Sequence, residues 1–182
     1  MMRTYQLTIA GLSRELPIIP LNEELSIASF VLLGDTELAS TGAKALAQMI
    51  QSDFDYFVTA EAKGIPLVQC IAQEFNHSKY YVARKSIKAY MKDPLCITVN
   101  SITTQKSQQL ILDGRDVREL KGKKVILIDD VISTGESLSA LKQLVEKAGA
   151  HVVDQLALLA EGDACKRNDI KYLAKLPLFP TH

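Results

Sequence analysis

The sequence predicts an α/β fold, a doubly wound and mostly parallel sheet with flanking helices. Three observations carry that expectation. Short apolar runs alternate with helical segments from residue 56 onward. Runs such as Tyr56-Phe57-Val58 and Val125-Ile126-Leu127-Ile128 lack a polar face, as strands covered on both sides do. The 182 residues, 47% hydrophobic and 23% charged, are enough for one α/β domain with a real core and short for two.

Each element has a local reason. Leu16-Pro17-Ile18-Ile19-Pro20 is extended, because two prolines forbid a helix. Residues 37–50 put Leu38, Ala45, Leu46, Met49 and Ile50 on one face of a helix, which Gly42 weakens only modestly. Tyr56-Phe57-Val58-Thr59-Ala60 reads as a buried strand. A helix then runs from Gly64 to about Phe75, with Pro66 tolerated in its first turn. Tyr80-Tyr81-Val82-Ala83 is the next strand, residues 124–128 a third and residues 152–159 a fourth. Between the last two, residues 138–148 form a helix ended by Gly149.

The stretch between Arg84 and Leu112 interrupts the alternation. Residues 98–103 and 109–112 suit the two arms of an inserted hairpin. The stretch carries Arg84, Lys85, Lys88, Lys92 and Lys106 against the single acid Asp93. A long insertion in a compact domain is more often functional than ornamental.

Composition excludes several classes. The formal net charge of zero gives no global attraction to nucleic acid or to a membrane surface, so anion binding must be local. Cys70, Cys96 and Cys165 are far apart and fit a reducing compartment rather than a zinc or redox site. His77, His151 and His182 have no ligand spacing. The start, Met1-Met2-Arg3-Thr4-Tyr5-Gln6, lacks a signal pattern, and no apolar run approaches the ~20 residues that span a bilayer. The expectation is a soluble, cytoplasmic protein.

The chemistry gathers at Val125-Ile126-Leu127-Ile128-Asp129-Asp130-Val131-Ile132-Ser133-Thr134-Gly135-Glu136-Ser137. An apolar strand ends in two acids, and a loop of small and hydroxyl residues leads into a helix. Ligands of open α/β sheets bind at the carboxyl ends of strands. The loop presents backbone amides at a helix N-terminus, which suits a phosphate monoester. Asp129 and Asp130 cannot bind phosphate directly, but adjacent carboxylates can hold a vicinal diol or a hydrated magnesium ion. A serine or threonine cap would explain the turn alone. The unbroken order of strand, double acid, loop and helix points instead to a sugar-phosphate site.

This segment resembles, at every position, the signature of type I phosphoribosyltransferases, which bind phosphoribosyl pyrophosphate. The resemblance implies that Asp129 and Asp130 contact the ribose hydroxyls and hold magnesium through water. It implies that the 5′-phosphate lies against the loop from Ser133 through Thr134, Gly135 and Glu136 to Ser137, just after Val131 and Ile132. Thr59-Ala60-Glu61-Ala62-Lys63-Gly64 is similar to the family's pyrophosphate loop, with Glu61, Ala62, Lys63 and Gly64 as pyrophosphate-binding residues. Tyr81-Val82-Ala83-Arg84-Lys85-Ser86 and the hairpin resemble the family's flexible loop. Arg84, Lys85 and Lys88 would then reach the pyrophosphate, with Arg84 and Lys85 joining the aspartates in catalysis. The implied protein is a single domain, residues 1–182, with a core over about 36–160 and a small base-holding hood from 1–35 and 161–182. It is a magnesium-dependent glycosyltransferase of nucleotide salvage, acting as a homodimer.

The base is a purine by the same resemblance. Arg14-Glu15-Leu16-Pro17 and Leu176-Pro177-Leu178-Phe179 resemble adenine enzymes, and Ser133 stands where hypoxanthine-guanine enzymes carry an acid. Ser101-Ile102-Thr103-Thr104-Gln105 is nearer to the loop of xanthine enzymes, although Gly162 follows Glu161 where those carry a base-contacting lysine. The expectation is adenine, with xanthine or another purine as the alternative. A non-catalytic sensor of phosphoribosyl pyrophosphate, as in some bacterial purine repressors, is the rival class. Such regulators carry a DNA-binding domain in front of this fold, and 182 neutral residues leave no room for one.

Overall fold

The computed structural model describes residues 3–99 and 108–181. The chain opens with three strands, β1 (Thr4–Ile9), β2 (Leu12–Pro20) and β3 (Leu25–Ala28), before helix α1 (Thr36–Ala47). Strand β4 (Tyr56–Ala60), helix α2 (Ile65–Glu74) and strand β5 (Tyr81–Ala83) follow. A hairpin of β6 (Leu95–Val99) and β7 (Gln108–Leu112) leads through α3 (Gly114–Leu120) to β8 (Lys124–Ile132). Helix α4 (Glu136–Lys147), strand β9 (His151–Glu161), a 3-10 turn (Gly162–Lys166), β10 (Lys171–Leu176) and β11 (Leu178–Pro180) complete it.

The central sheet has five parallel strands in the order β10-β9-β8-β4-β5. From β4 the chain proceeds outward to β5; from β8 it proceeds the other way to β9 and β10. The topological switch therefore lies between β4 and β8, where open α/β sheets form their binding crevice. β4 pairs with β8 only as far as Thr59 opposite Ile128, whereas β8 continues along β9 to Ile132. β8 thus projects beyond its neighbour and carries Asp129 and Asp130 past the end of β4.

Both faces of this sheet are covered, as its apolar strands require. On β8, Ile126 and Ile128 pack toward α1 and α2, while Val125 and Leu127 pack toward α4. Along β4, Phe57 and Val58 divide the same way. The alternation is the two-residue period of a strand, with all six residues fully buried. Gly42 of α1 permits a close approach, since a side chain there would collide with Leu158 of β9.

Both termini build the second sheet, in the order β1-β2-β3-β11. Tyr5 of β1 and Phe179 of β11 close it with ring centroids 5.6 Å apart. It matches the hood expected from the ends of the chain. Four details differ from the sequence expectation; the first is that β8 runs past residue 128 to Ile132. β10, from the segment assigned to the hood, is a strand of the central sheet. The first arm of the hairpin begins at Leu95 rather than residue 98, and Leu95 pairs with Leu112. Helix α3, capped by Asp113, had no counterpart in the sequence reading. The expected residues 100–106 of the hairpin, including Ser101 to Gln105 and Lys106, lie outside the described residues. No helix among the described residues is long and apolar enough to cross a membrane. All three cysteines are free.

Candidate active site

A cavity of about 310 Å³ opens at the switch point. Its walls come from the loop after β4 (Ala60, Glu61, Ala62, Lys63), from Lys85 after β5, and from Asp129 through Leu138. The structure thus brings together the three segments that the sequence singled out. Gly64, Arg84 and Lys88 stand beside the cavity without lining it.

Helix capping distinguishes this region from the rest of the molecule. Asp35 caps α1 by accepting from the Leu38 amide at 3.0 Å, and Asp113 caps α3 by accepting from the Arg115 amide at 2.8 Å. α2 and α4 begin at Gly64 and Gly135, and neither N-cap residue offers a side-chain bond. Ser133 and Thr134 therefore do not cap α4 in the ordinary way; Thr134 Oγ1 accepts from the Glu136 amide only at a long 3.4 Å. The N-terminus of α4 lines the cavity and has no N-cap side chain, the arrangement that leaves amides to an anion, whereas at α2 the Ile65 amide already donates to the Ala62 carbonyl at 3.2 Å and Pro66 has no N–H.

Gly135 adopts φ +81°, which reverses the chain at the start of α4 and favours glycine. A side chain there would meet the guanidinium of Arg167. Arg167 comes from the segment after β9 and is held by Asp169 through bonds of 2.9 and 2.7 Å. Glu161, at the end of β9, faces the Ser133 hydroxyl; burial raises its pKa and the hydroxyl opposes that rise. Sequence reasoning missed Arg167 and Glu161, because only the folding of β9 beside β8 brings them to the loop.

Asp130 is 5% exposed and Asp129 is half-buried. The Asp130 amide donates to Asp129 Oδ1 at 2.9 Å. Asp130 Oδ2 is buried with no hydrogen-bond partner among the described residues. Burial raises the pKa of both carboxyls, and the proximity of Asp130 raises Asp129 further. Lys85 opposes the rise at Asp129, and Lys63 opposes it at Asp130. The cavity therefore sets two acids against two lysines, an arrangement prepared for a ligand with both hydroxyls and anionic groups.

Glu61 points elsewhere. Its Oε2 accepts the Lys85 amide at 3.0 Å, and its Oε1 lies 3.2 Å from Arg84 Nη2. These contacts hold its carboxyl below the usual range, the Lys85 amide contributing most. Gly64 is forced by packing: a side chain there would collide with the buried Thr59 hydroxyl and would lie 3.4 Å from the Ile128 carbonyl. Arg14, of the segment that resembles adenine enzymes, is bonded to Asp35 at 2.7 Å and to Glu37 at 2.8 Å, and so ties the hood to α1.

Comparison with known proteins agrees with this geometry. Residues 34–177 match the phosphoribosyl transferase domain family. A hypoxanthine/guanine phosphoribosyltransferase of Methanothermococcus okinawensis is 32% identical over 156 residues, covering 82% of this chain and 81% of that protein. One from Methanococcus maripaludis is 35% identical over 75% of this chain and 70% of its own. Among solved structures, adenine phosphoribosyltransferase from Thermoanaerobacter pseudethanolicus superposes with a TM-score of 0.70 at 20% identity, over 88% of this chain and 95% of that one. The Saccharomyces cerevisiae adenine enzyme gives 0.65 at 18% identity, over 93% of each chain. At such identities the structural likeness speaks to the fold alone. The extent of the family match, together with relatives above 30% identity, shows that this chain belongs to the phosphoribosyltransferase family of pentosyl-transferring enzymes.

Proposed function

We propose that the protein transfers the phosphoribosyl group of phosphoribosyl pyrophosphate to a purine base, releasing pyrophosphate. The observation that carries this reading is the N-terminus of α4, without an N-cap side chain, opening on a cavity that also holds Asp129, Asp130, Lys63 and Lys85. That terminus takes the 5′-phosphate, the lysines of the loops after β4 and β5 take the pyrophosphate, and the acids take the ribose.

In this mechanism Ser133, Thr134, Gly135, Glu136 and Ser137 wrap the 5′-phosphate, with backbone amides as the main donors. Asp129 and Asp130 hold the ribose hydroxyls and stabilise the positive charge that develops on the ring as the bond to pyrophosphate lengthens. Lys63 and Lys85 offset negative charge on the departing group, and Arg84 and Lys88 add to the local positive field. No covalent nucleophile is needed, since holding two substrates in line lowers the barrier. Water must be kept from the site, since it otherwise hydrolyses the activated sugar.

The donor set fits magnesium. No group of three or more His, Cys, Asp or Glu side chains that could hold a metal occurs among the described residues, so an ion would share substrate and water oxygens with Asp129 and Asp130. The unpartnered Asp130 Oδ2 is an acceptor that a hydrated cation would satisfy. Bound there, magnesium would neutralise charge on the pyrophosphate as it leaves.

Adenine is the base favoured by the motif resemblances of the termini. A 6-oxopurine is the second reading, favoured by relatives above 30% identity that carry hypoxanthine/guanine names. We further propose a cytoplasmic homodimer. The test is pyrophosphate release from phosphoribosyl pyrophosphate and magnesium with adenine, hypoxanthine, guanine, xanthine, orotate and uracil. Turnover with a purine and none with a pyrimidine is expected. Binding of phosphoribosyl pyrophosphate with no release for any base would favour a sensor instead.

A further inference from the structure

We propose that Glu61 is a positioning residue that fixes Arg84 and Lys85 at the pyrophosphate side of the cavity, an inference that rests on the phosphoribosyl-transfer reading above. A carboxylate cannot itself donate to a pyrophosphate oxygen, and like charge would oppose its approach. Glu61 nevertheless lies in the loop that the sequence assigns to pyrophosphate. Its contacts resolve the contradiction. The Glu61 amide donates to the Ala83 carbonyl at 2.8 Å. Its carboxylate accepts the Lys85 amide at 3.0 Å and pairs with Arg84 at 3.2 Å. One residue is thus bonded to three successive positions at the exit of β5.

The same exit anchors the hairpin. Arg84 exchanges both backbone bonds with Ile111 of β7, at 2.8 and 2.9 Å. Glu61 therefore joins the loop after β4, the cationic turn after β5 and the hairpin root at one point. Side-chain exposures of 23% for Glu61 and 32% for Arg84 place the pair partly out of water, where an ion pair is screened less. Without the carboxylate, the Lys85 amide loses its acceptor, and Arg84 and Lys85 are left as adjacent like charges. The Lys85 ammonium would no longer be held toward Asp129 and the cavity.

The test is isothermal titration of pyrophosphate and, separately, ribose 5-phosphate into wild type, Glu61→Ala, Arg84→Ala/Lys85→Ala and the triple variant. Glu61→Ala is expected to weaken pyrophosphate about 10-fold, as the loss of a residue that orients a ligand-binding group does, and to leave ribose 5-phosphate unchanged. In the Arg84→Ala/Lys85→Ala background the same substitution should cost nothing more, because its effect passes through those residues. Equal weakening of both ligands, an undiminished loss in that background, or tighter pyrophosphate binding by Glu61→Ala would overturn the role. A Glu61→Ala protein that fails to fold is replaced by Glu61→Leu, which fills the space without an acceptor, with the Lys85 amide proton shift in the unliganded protein reading the contact directly; an unmoved shift overturns the role. A wild type that binds neither ligand overturns the phosphoribosyl reading itself, whereas a wild type that binds both with Glu61→Ala unaffected overturns the role of Glu61 alone.

Discussion

The loops after β4 and β8 stand side by side at the same end of the sheet, and each leads into a helix without an N-cap side chain. They are built on different principles. The loop after β8 continues a strand whose apolar run 125–128 is fully buried, and relies on backbone: a reversed φ at Gly135, amides at the head of α4, and acids fixed by the strand that carries them. The loop after β4 relies on side chains: Lys63 within it, and Lys85 brought beside it by the bonds of Glu61. The first geometry is set by the fold, and the second by ion pairs that a substitution can undo. Under the proposed reading, a fixed 5′-phosphate site beside an adjustable pyrophosphate site suits a reaction in which one group stays and the other leaves.

The largest effect should come from the strand-built side. Asp129→Asn with Asp130→Asn is expected to lower turnover at least ~100-fold, about 2.7 kcal/mol in the barrier, as read by pyrophosphate release. Near-normal activity would remove the acids from the account.

Gly64→Ala comes next and should act on stability. Its new methyl meets Thr59, which is fully buried and cannot withdraw. Overpacking of that kind costs roughly 1–3 kcal/mol, visible as a fall in Tm. Gly135→Ala meets the end of the Arg167 side chain, which can move, so its cost is mainly the left-handed backbone, about 1–2 kcal/mol. That cost falls on the phosphate loop, and a weakening of ribose 5-phosphate by about 10-fold is expected, since each ~1.4 kcal/mol is tenfold in affinity. A larger Tm loss for Gly135→Ala than for Gly64→Ala would reverse the contrast between a rigid and a yielding neighbour.

The smallest effect is a gain. Burial and the neighbouring Asp130 raise the Asp129 carboxyl above its unfolded value. A carboxyl raised on folding favours the folded state while protonated, and that advantage is lost as pH rises through the raised value. Asparagine suffers no such loss. Asp129→Asn should therefore stabilise the unliganded protein by about 1 kcal/mol above neutral pH and by little near pH ~4, where the unfolded carboxyl itself titrates. Melting curves at several pH values would show it; a gain that shrinks as pH rises would contradict the burial argument.

The parts of the site that lie contiguously in the chain were legible before the fold was known. Strand, acids, loop and helix follow one another from Val125 to Ser137, and the spacing alone carries their order. The strand nevertheless runs through the acids to Ile132 instead of ending before them, because β9 continues to pair with it after β4 has stopped. Arg167 and Glu161 were not legible, since the register of β9 and β10 brings them to Ser133 and Gly135 from some thirty residues away. β10 escaped notice for a related reason. As an edge strand with half-buried positions and the lysines Lys171 and Lys175, it lacks the unbroken apolar run of β8. Two of the hood's three pairings are local hairpins, β1 with β2 and β2 with β3, but the third joins β3 to β11 from opposite ends of the chain, which no single window contains.

The division of labour between the two loops is the central claim, and it is tested by titrating ribose 5-phosphate and pyrophosphate separately into Lys63→Ala and Gly135→Ala. The expected result is a crossed pattern: Lys63→Ala weakens pyrophosphate and spares ribose 5-phosphate, while Gly135→Ala does the reverse. If each variant weakens both ligands to the same degree, the loops form one undivided anion site and the account is wrong.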